Sequence, residues 1–110
     1  MTDQEKKYLS DILQAILLIE SFTSNIKDFN TYVADLKTQS AVERQLGILG
    51  EAVNKFDKIN PEHPLENARQ IIGFRNRLIH TYDSIDQSMV WAIIRNHLEP
   101  LKSEILARLK

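Results

Sequence analysis

The sequence predicts an all-α protein, an antiparallel up-and-down helical bundle of four long helices plus one short helix. Its 110 residues include only three glycines and three prolines, the two residue types that most disfavour helix interiors. Apolar residues recur at steps of three and four along most of the chain, which is the spacing of one helix face. The length is typical of one domain, so we expect residues 1–110 to share a single core.

The composition excludes several classes of protein. The chain has no cysteine, which removes disulfides, thiol nucleophiles and cysteine-ligated zinc and is typical of a reducing compartment. No apolar run approaches the roughly 18 residues that span a bilayer, so we expect a cytoplasmic protein without membrane contact. The net charge of −1 argues against a general attraction to nucleic acid, which would need a local basic patch.

Capping signals predict where the first two helices begin. Thr2, with Glu5 three residues later, has the form of a capping box, and the apolar stripe that follows ends near Thr23. Asp28 is expected to cap the short second helix. Its inward-facing side chains are expected to be Phe29, Tyr32, Val33 and Leu36.

The third helix is marked by a second capping box at Ser40 and Glu43, with a start one turn earlier as the alternative. Its apolar stripe is Val42, Leu46, Leu49, Val53 and Phe56. Gly47 and Gly50 interrupt this pattern, where each costs about 1 kcal/mol relative to alanine. The simplest explanation is that a neighbouring helix packs closely against both glycines.

Prolines mark the later part of the chain. Residues 60–64 contain two of them and should form a loop, with Pro64 suited to the first position of a fourth helix that reaches His80. A fifth helix follows Asp86 and carries an apolar stripe as far as Leu109. Pro100 lacks a backbone donor and should kink this helix.

Residues 73–82 hold the densest group of reactive side chains. The histidines at positions 63, 80 and 97 have no partner at a recognised metal-ligand spacing, and no glycine-rich phosphate loop is present. We therefore expect no metal and no cofactor. His63 should be solvated in its loop and His97 partly buried beside the fifth helix.

Arg75 and His80 have the chemistry needed to cleave RNA. An imidazole exchanges a proton near neutral pH and could remove the ribose 2′-OH proton, while a guanidinium stabilises charge on the phosphate oxygens. DNA lacks that hydroxyl, so such a site would be specific for RNA. On spacing alone, a helix end whose cations favour the helix dipole is the simpler interpretation.

The spacing of these two residues also predicts geometry. Five residues along a helix is about 500°, so Arg75 and His80 should lie about 140° apart around the axis. Asn76 and His80 share a face and could form a hydrogen bond. Either the helix unwinds near His80, or a second copy completes the site across a two-fold interface, which is the interpretation we prefer.

Residues 75–82 resemble the Arg-Asn-x3-His-x-Tyr signature of HEPN-domain proteins, and among them the HepT-like toxins of the MntA–HepT toxin–antitoxin type. Residues 71–74, 40–46 with 50–52, and 85–86 followed by 90–91 resemble the stretches that accompany that signature. The resemblance thus covers nearly the whole chain and implies a single HEPN-like helical domain.

The resemblance implies a metal-independent endoribonuclease toxin of a type II or AMPylation-controlled toxin–antitoxin pair, working as a homodimer with its active site at the interface. By this resemblance Arg75 and His80 are the catalytic pair and Asn76 supports them. Tyr82 matches the tyrosine that an MntA-like nucleotidyltransferase antitoxin modifies with AMP, which would block the cleft and repel RNA. Candidates for a local RNA-binding patch are Arg69, Arg77 and Arg95.

A second interpretation comes from a different class of protein: a non-catalytic helical partner that docks onto a minimal nucleotidyltransferase and helps present its substrate. Such a protein would form a stable complex with that enzyme yet cleave no RNA. A purely structural bundle is the third and least favoured interpretation.

Overall fold

The computed structural model describes residues 1–80 and 85–110, and these residues contain helices and connecting segments but no strand. The helices are α1 (Asp3–Phe22), α2 (Phe29–Ala34), α3 (Leu36–Ile59), α4 (Ala68–His80), α5 (Gln87–Asn96) and α6 (Leu98–Leu109). The predicted all-α helical bundle is confirmed. No helix in the described part of the chain is long and apolar enough to cross a membrane.

The first two helices begin at the predicted caps. The Thr2 hydroxyl accepts a hydrogen bond from the Glu5 N–H at 3.1 Å, and the Asp28 carboxylate accepts one from the Thr31 N–H at 2.8 Å. These bonds satisfy backbone donors that the first turn of a helix leaves without partners. The predicted end of the first helix is also confirmed, since Thr23 is its C-cap.

The predicted inward face of α2 is only partly correct. Tyr32 is fully buried and stacks on Trp91 of α5, with the ring centroids 5.5 Å apart. Val33 is 39% exposed and Leu36 is 72% exposed. Leu36 differs because α2 ends at Ala34, so this residue belongs to the first turn of the next helix and not to the short one.

The third helix begins about one turn before the capping box at Ser40, which confirms the alternative start. Asp35 is the N-cap, and its carboxylate accepts hydrogen bonds from the Thr38 hydroxyl at 2.6 Å and from the Thr38 N–H at 3.0 Å. Ser40 therefore lies inside α3. The five predicted stripe residues, Val42, Leu46, Leu49, Val53 and Phe56, are all buried.

The fourth helix begins at Ala68, four residues after the predicted Pro64. Asn67 has a φ of 63°, which is outside the helical region and separates the preceding segment from α4. That segment is held instead by Arg108 of α6. The Arg108 guanidinium donates to the backbone carbonyls of His63 at 2.6 Å and Pro64 at 2.8 Å.

The predicted fifth helix is divided into α5 and α6 at His97. Pro100 has no N–H to donate to the carbonyl of Asn96, four residues earlier, so the helix is interrupted next to that carbonyl. The kink expected at Pro100 thus takes the form of an interruption one turn earlier. His97 is exposed at the break, and the prediction that it is partly buried is wrong.

The α1–α3 pair forms the centre of the bundle, with α6 packed against α1 and α4 packed against α3. Asn60 at the end of α3 donates to Glu5 at the start of α1 at 3.4 Å, so these helices are antiparallel. Lys102 near the start of α6 pairs with Glu20 near the end of α1 at 3.1 Å, which makes that pair antiparallel too. Fully buried members of the shared core include Leu9, Ile12, Ile16, Ile19, Val42, Val53, Val90 and Ile105.

Candidate active site

Arg75 lies where α4 approaches α3 most closely. A Cβ added to Gly50 of α3 would overlap the Cβ of Arg75 and lie 2.7 Å from its Cγ. Only a glycine at position 50 therefore permits this approach, and close packing is confirmed as the explanation for Gly50. It is wrong for Gly47, where an added Cβ would meet nothing within 4 Å.

The guanidinium of Arg75 is held by two neighbours. Its Nη2 forms an ion pair with the carboxylate of Glu51 on α3, and its Nη1 donates to Oδ1 of Asn76 at 3.0 Å. The Arg75 side chain is 24% exposed, and its Nε is buried without a hydrogen-bond partner among the described residues. The guanidinium is thus held between two neighbours, and the Arg75 side chain as a whole remains partly exposed.

His80 is the last residue of α4 and is exposed. The helix reaches it without unwinding, so the first of the two alternatives, an unwound turn, is not what the structure has. Among the described residues His80 has no hydrogen bond or ion pair, so the hydrogen bond that Asn76 and His80 could form is not present. Oδ1 of Asn76 accepts a hydrogen bond from Arg75. Arg75 and His80 consequently leave the helix about 140° apart.

The arc of α4 between these two side chains carries exposed residues. Counting 100° per residue, Ile79 lies about 40° and Asn76 about 100° from Arg75. Ile79 is 45% exposed, and it borders a shallow hollow of about 360 Å³ that Arg75 also lines. Ile48 of α3 lines the same hollow and is 40% exposed. We name the surface formed by Gly47, Ile48, Arg75, Asn76 and Ile79 the α3–α4 face.

A larger cleft of about 700 Å³ lies on the other side of α4, between this helix and α5–α6. Arg69 and Arg77 both line it, and Nη1 of Arg77 lies 3.7 Å from Sδ of Met89, a weak acceptor. The carboxylates of Glu66 and Glu104 line it as well, so its charge is mixed. The structure thus brings together two of the three predicted RNA-binding arginines.

The third of these arginines, Arg95, lies apart from the cleft on α5. Its guanidinium stacks over the Trp91 ring, 5.5 Å from the centroid, and it does not line the cleft. The predicted modification site, Tyr82, lies outside the described residues. Among the residues that are described, no group of three or more His, Cys, Asp or Glu side chains could hold a metal ion.

Glu51 is the site residue that sequence reasoning missed. It lies in residues 50–52, a stretch that resembles HepT-like proteins, and the sequence alone assigns it no role. A signal for it exists in the sequence, since a carboxylate directly follows the glycine that admits the neighbouring helix. That signal becomes specific only when Arg75 is known to lie over Gly50.

Comparison with known proteins gives the family. Residues 12–107 match the family described as "Ribonuclease HepT-like". The chain is 39% identical over 108 residues to "Probable ribonuclease HepT" of Thermococcus cleftensis, which covers 94% of each chain. It is 34% identical over 104 residues to "Putative RNase MJ1380" of Methanocaldococcus jannaschii, covering 91% of this chain and 92% of the relative.

No solved structure gives a significant match to this chain. The match to the family nevertheless extends over most of the sequence, from the middle of α1 to the last turn of α6. It includes the α3–α4 contact and the helix that carries Arg75 and His80. The chain therefore belongs to the HepT-like ribonuclease family.

Proposed function

We propose that this protein is an endoribonuclease toxin that cleaves RNA without a metal ion, with Arg75 and His80 as its catalytic residues. Membership of a ribonuclease family supports RNA as the substrate. The observation that carries the assignment of residues is the guanidinium of Arg75, which Glu51 and Asn76 hold while its side chain stays partly exposed. An arginine held in this way is suited to binding a phosphate.

The proposed reaction is an attack of RNA on itself. The imidazole of His80 takes the proton of a ribose 2′-OH, and the oxygen attacks the adjacent phosphorus. The bond from phosphorus to the 5′-oxygen breaks, that oxygen takes up a proton, and a 2′,3′-cyclic phosphate remains. Arg75 stabilises the charge that gathers on the non-bridging oxygens during the attack.

The site needs two chains in this proposal. Because the side chains of Arg75 and His80 project from α4 about 140° apart, those of one chain do not both reach the same phosphate. A second copy packed by two-fold symmetry on the α3–α4 face would bring Arg75 of one chain towards the partner's His80. Exposed Ile48 and Ile79 support this choice of face, since they place apolar surface beside Arg75.

Regulation by AMP transfer is the last part of the proposal. Tyr82 follows His80 by two residues, so a nucleotide attached to its hydroxyl would bring an anionic phosphate close to the site. We infer that a nucleotidyltransferase antitoxin silences the enzyme in this way. ATP and Mg²⁺ would come with that partner enzyme.

Single substitutions test the proposal directly. Arg75→Ala and His80→Ala should each abolish cleavage of RNA by the purified protein and growth inhibition on expression, while circular dichroism shows that the helical fold is kept. Equal cleavage by wild type and both variants would refute it. No cleavage by wild type, together with a stable complex with a nucleotidyltransferase, would favour the non-catalytic partner.

A further inference from the structure

We propose that Glu51 is a positioning residue for RNA cleavage: its carboxylate on α3 holds the guanidinium of Arg75 in the orientation that the phosphate requires. The inference rests on the proposed function, in which Arg75 binds the phosphate. It adds a residue on a second helix to a site otherwise built from α4.

The packing of Arg75 makes an anionic neighbour necessary. The side chain is only 24% exposed, and its Cβ lies directly over Gly50, so the stem runs along the surface of α3. A guanidinium that is partly withdrawn from water needs an anion nearby to offset the lost hydration. Glu51 follows Gly50 in sequence, so the glycine that admits α4 places the carboxylate beside the guanidinium.

The donors of Arg75 divide between protein and solvent. A guanidinium has five N–H donors in a rigid plane. Nη2 is engaged by Glu51, Nη1 by Asn76, and Nε is buried. Each terminal nitrogen has a second N–H, and in this proposal these two groups bind the phosphate. The two protein contacts therefore fix the plane of the group without occupying all of its donors.

Glu51 should affect the orientation of the Arg75 guanidinium more than the affinity of the protein for RNA. Its negative charge opposes a phosphate, but the Glu51 side chain as a whole is 37% exposed, so solvent screens part of that repulsion even though Oε2 is buried. The ion pair acts at short range on the same guanidinium throughout the reaction. Loss of the carboxylate should therefore lower kcat and leave KM nearly unchanged.

Substitution of Glu51 gives the first measurement. Glu51→Ala should lower kcat by about 10- to 100-fold, with KM changed less than about threefold, because the guanidinium is then free to rotate. Glu51→Gln keeps an oxygen acceptor without the charge and should retain more activity than the alanine variant. Light scattering and thermal unfolding would establish that all variants keep the wild-type oligomer and fold.

Glu20→Ala is the matched control. Glu20 pairs with Lys102, and the exposed fractions of that pair, 35% and 23%, are close to the 37% and 24% of Glu51 and Arg75. The pair joins α1 to α6 and lines neither the hollow nor the cleft. We expect Glu20→Ala to cleave RNA at the wild-type rate.

A measurement without cleavage separates this inference from the proposed function. The Nε–H resonance of Arg75, assigned by its loss in Arg75→Ala, should be sharp and slow to exchange in wild type and Glu20→Ala, and broadened in Glu51→Ala. An unchanged resonance in Glu51→Ala would overturn the positioning role whether or not the protein cleaves RNA. An unchanged or raised kcat would overturn it too, whereas full activity of His80→Ala would count against the proposed function alone.

Discussion

Gly50 on α3 lies directly beneath the side chain of Arg75 on α4, so closely that a Cβ at position 50 would overlap the Cβ of Arg75. This contact sets the distance between the two helices at the level of the candidate site. It also sets the starting point of the arginine side chain, and with it the reach of the guanidinium towards Glu51.

Replacement of this glycine should affect both stability and activity. Gly50→Ala should lower the free energy of unfolding by about 1–3 kcal/mol, because α4 must move away to make room, and should reduce RNA cleavage. Gly73→Ala on α4 is the control: its Cβ would meet nothing within 4 Å, it lies off the α3–α4 face, and it should raise stability by up to about 1 kcal/mol. Urea unfolding of both variants measures the difference, and equal stabilities would contradict the contact.

A site shared between chains should show complementation. Arg75→Ala and His80→Ala proteins, each inactive alone, should recover about a quarter of wild-type cleavage when unfolded together and refolded as an equal mixture. Half of the dimers are then mixed, and one of the two sites in each is intact. Continued inactivity of a mixture shown to contain mixed dimers would mean that each site lies within one chain.

The proposed interface should be sensitive to a charge at its centre. Ile79→Asp should raise the dimer Kd about 100-fold or more, because an unpaired charge in an interface costs about 3 kcal/mol. RNA cleavage should fall in parallel with dimer content. Leu106→Asp on α6 is the control, since Leu106 is 47% exposed against 45% for Ile79 and lies off the α3–α4 face. Light scattering over a range of concentrations would show a dimeric Ile79→Asp protein if the choice of face is wrong.

Mass spectrometry tests the proposed transfer of AMP to Tyr82. Incubation with the nucleotidyltransferase partner, ATP and Mg²⁺ should add the mass of AMP to wild type and abolish its RNA cleavage. Tyr82→Phe should gain no mass and remain active, because it lacks the accepting hydroxyl. Tyr8→Phe, altered in another tyrosine, should be modified like wild type. Modification of Tyr82→Phe to the same extent would exclude this residue as the target.

The N-cap of α3 gives a prediction for pH. The hydroxyl and then the N–H of Thr38 lower the pKa of the Asp35 carboxyl below its ordinary value of 3.8. The stability that this carboxylate contributes is therefore present above pH 3.8 and is lost as the pH falls through the lowered value. Asp35→Asn, which still caps but does not titrate, should have a lower Tm than wild type at pH 6. The Tm difference should shrink towards pH 2, and a constant difference would contradict this account.

Local signals were sufficient for much of the fold. The caps at Thr2 and Asp28 and the buried stripe of α3 depend on residues a few positions apart, and the sequence alone predicted them. The start of α4 was not predictable in this way, because the carbonyls of His63 and Pro64 are held by a guanidinium more than forty residues later. The same residues in isolation are compatible with an earlier helix start.

The candidate site shows the same division. Residues on one helix, Arg75 and His80, were identified together, and their separation around the axis followed from helix geometry. The ion pair with Glu51 depends on how α3 and α4 are aligned against each other, which no periodicity within either helix determines. The sequence therefore does not predict the ion pair between Glu51 and Arg75, because that contact depends on how two helices pack together.

The hydrogen bonds between α6 and the segment before α4 form late in protein synthesis. Arg108 and Glu104 bind residues 63–66, which the ribosome makes about forty residues earlier. A growing chain that has reached His80 already contains both candidate catalytic residues. The backbone just before their helix is bound only after Arg108 has been added to the chain. The segment that leads into α4 is therefore bound only after most of α6 has been made, although the two candidate catalytic residues come earlier in the chain.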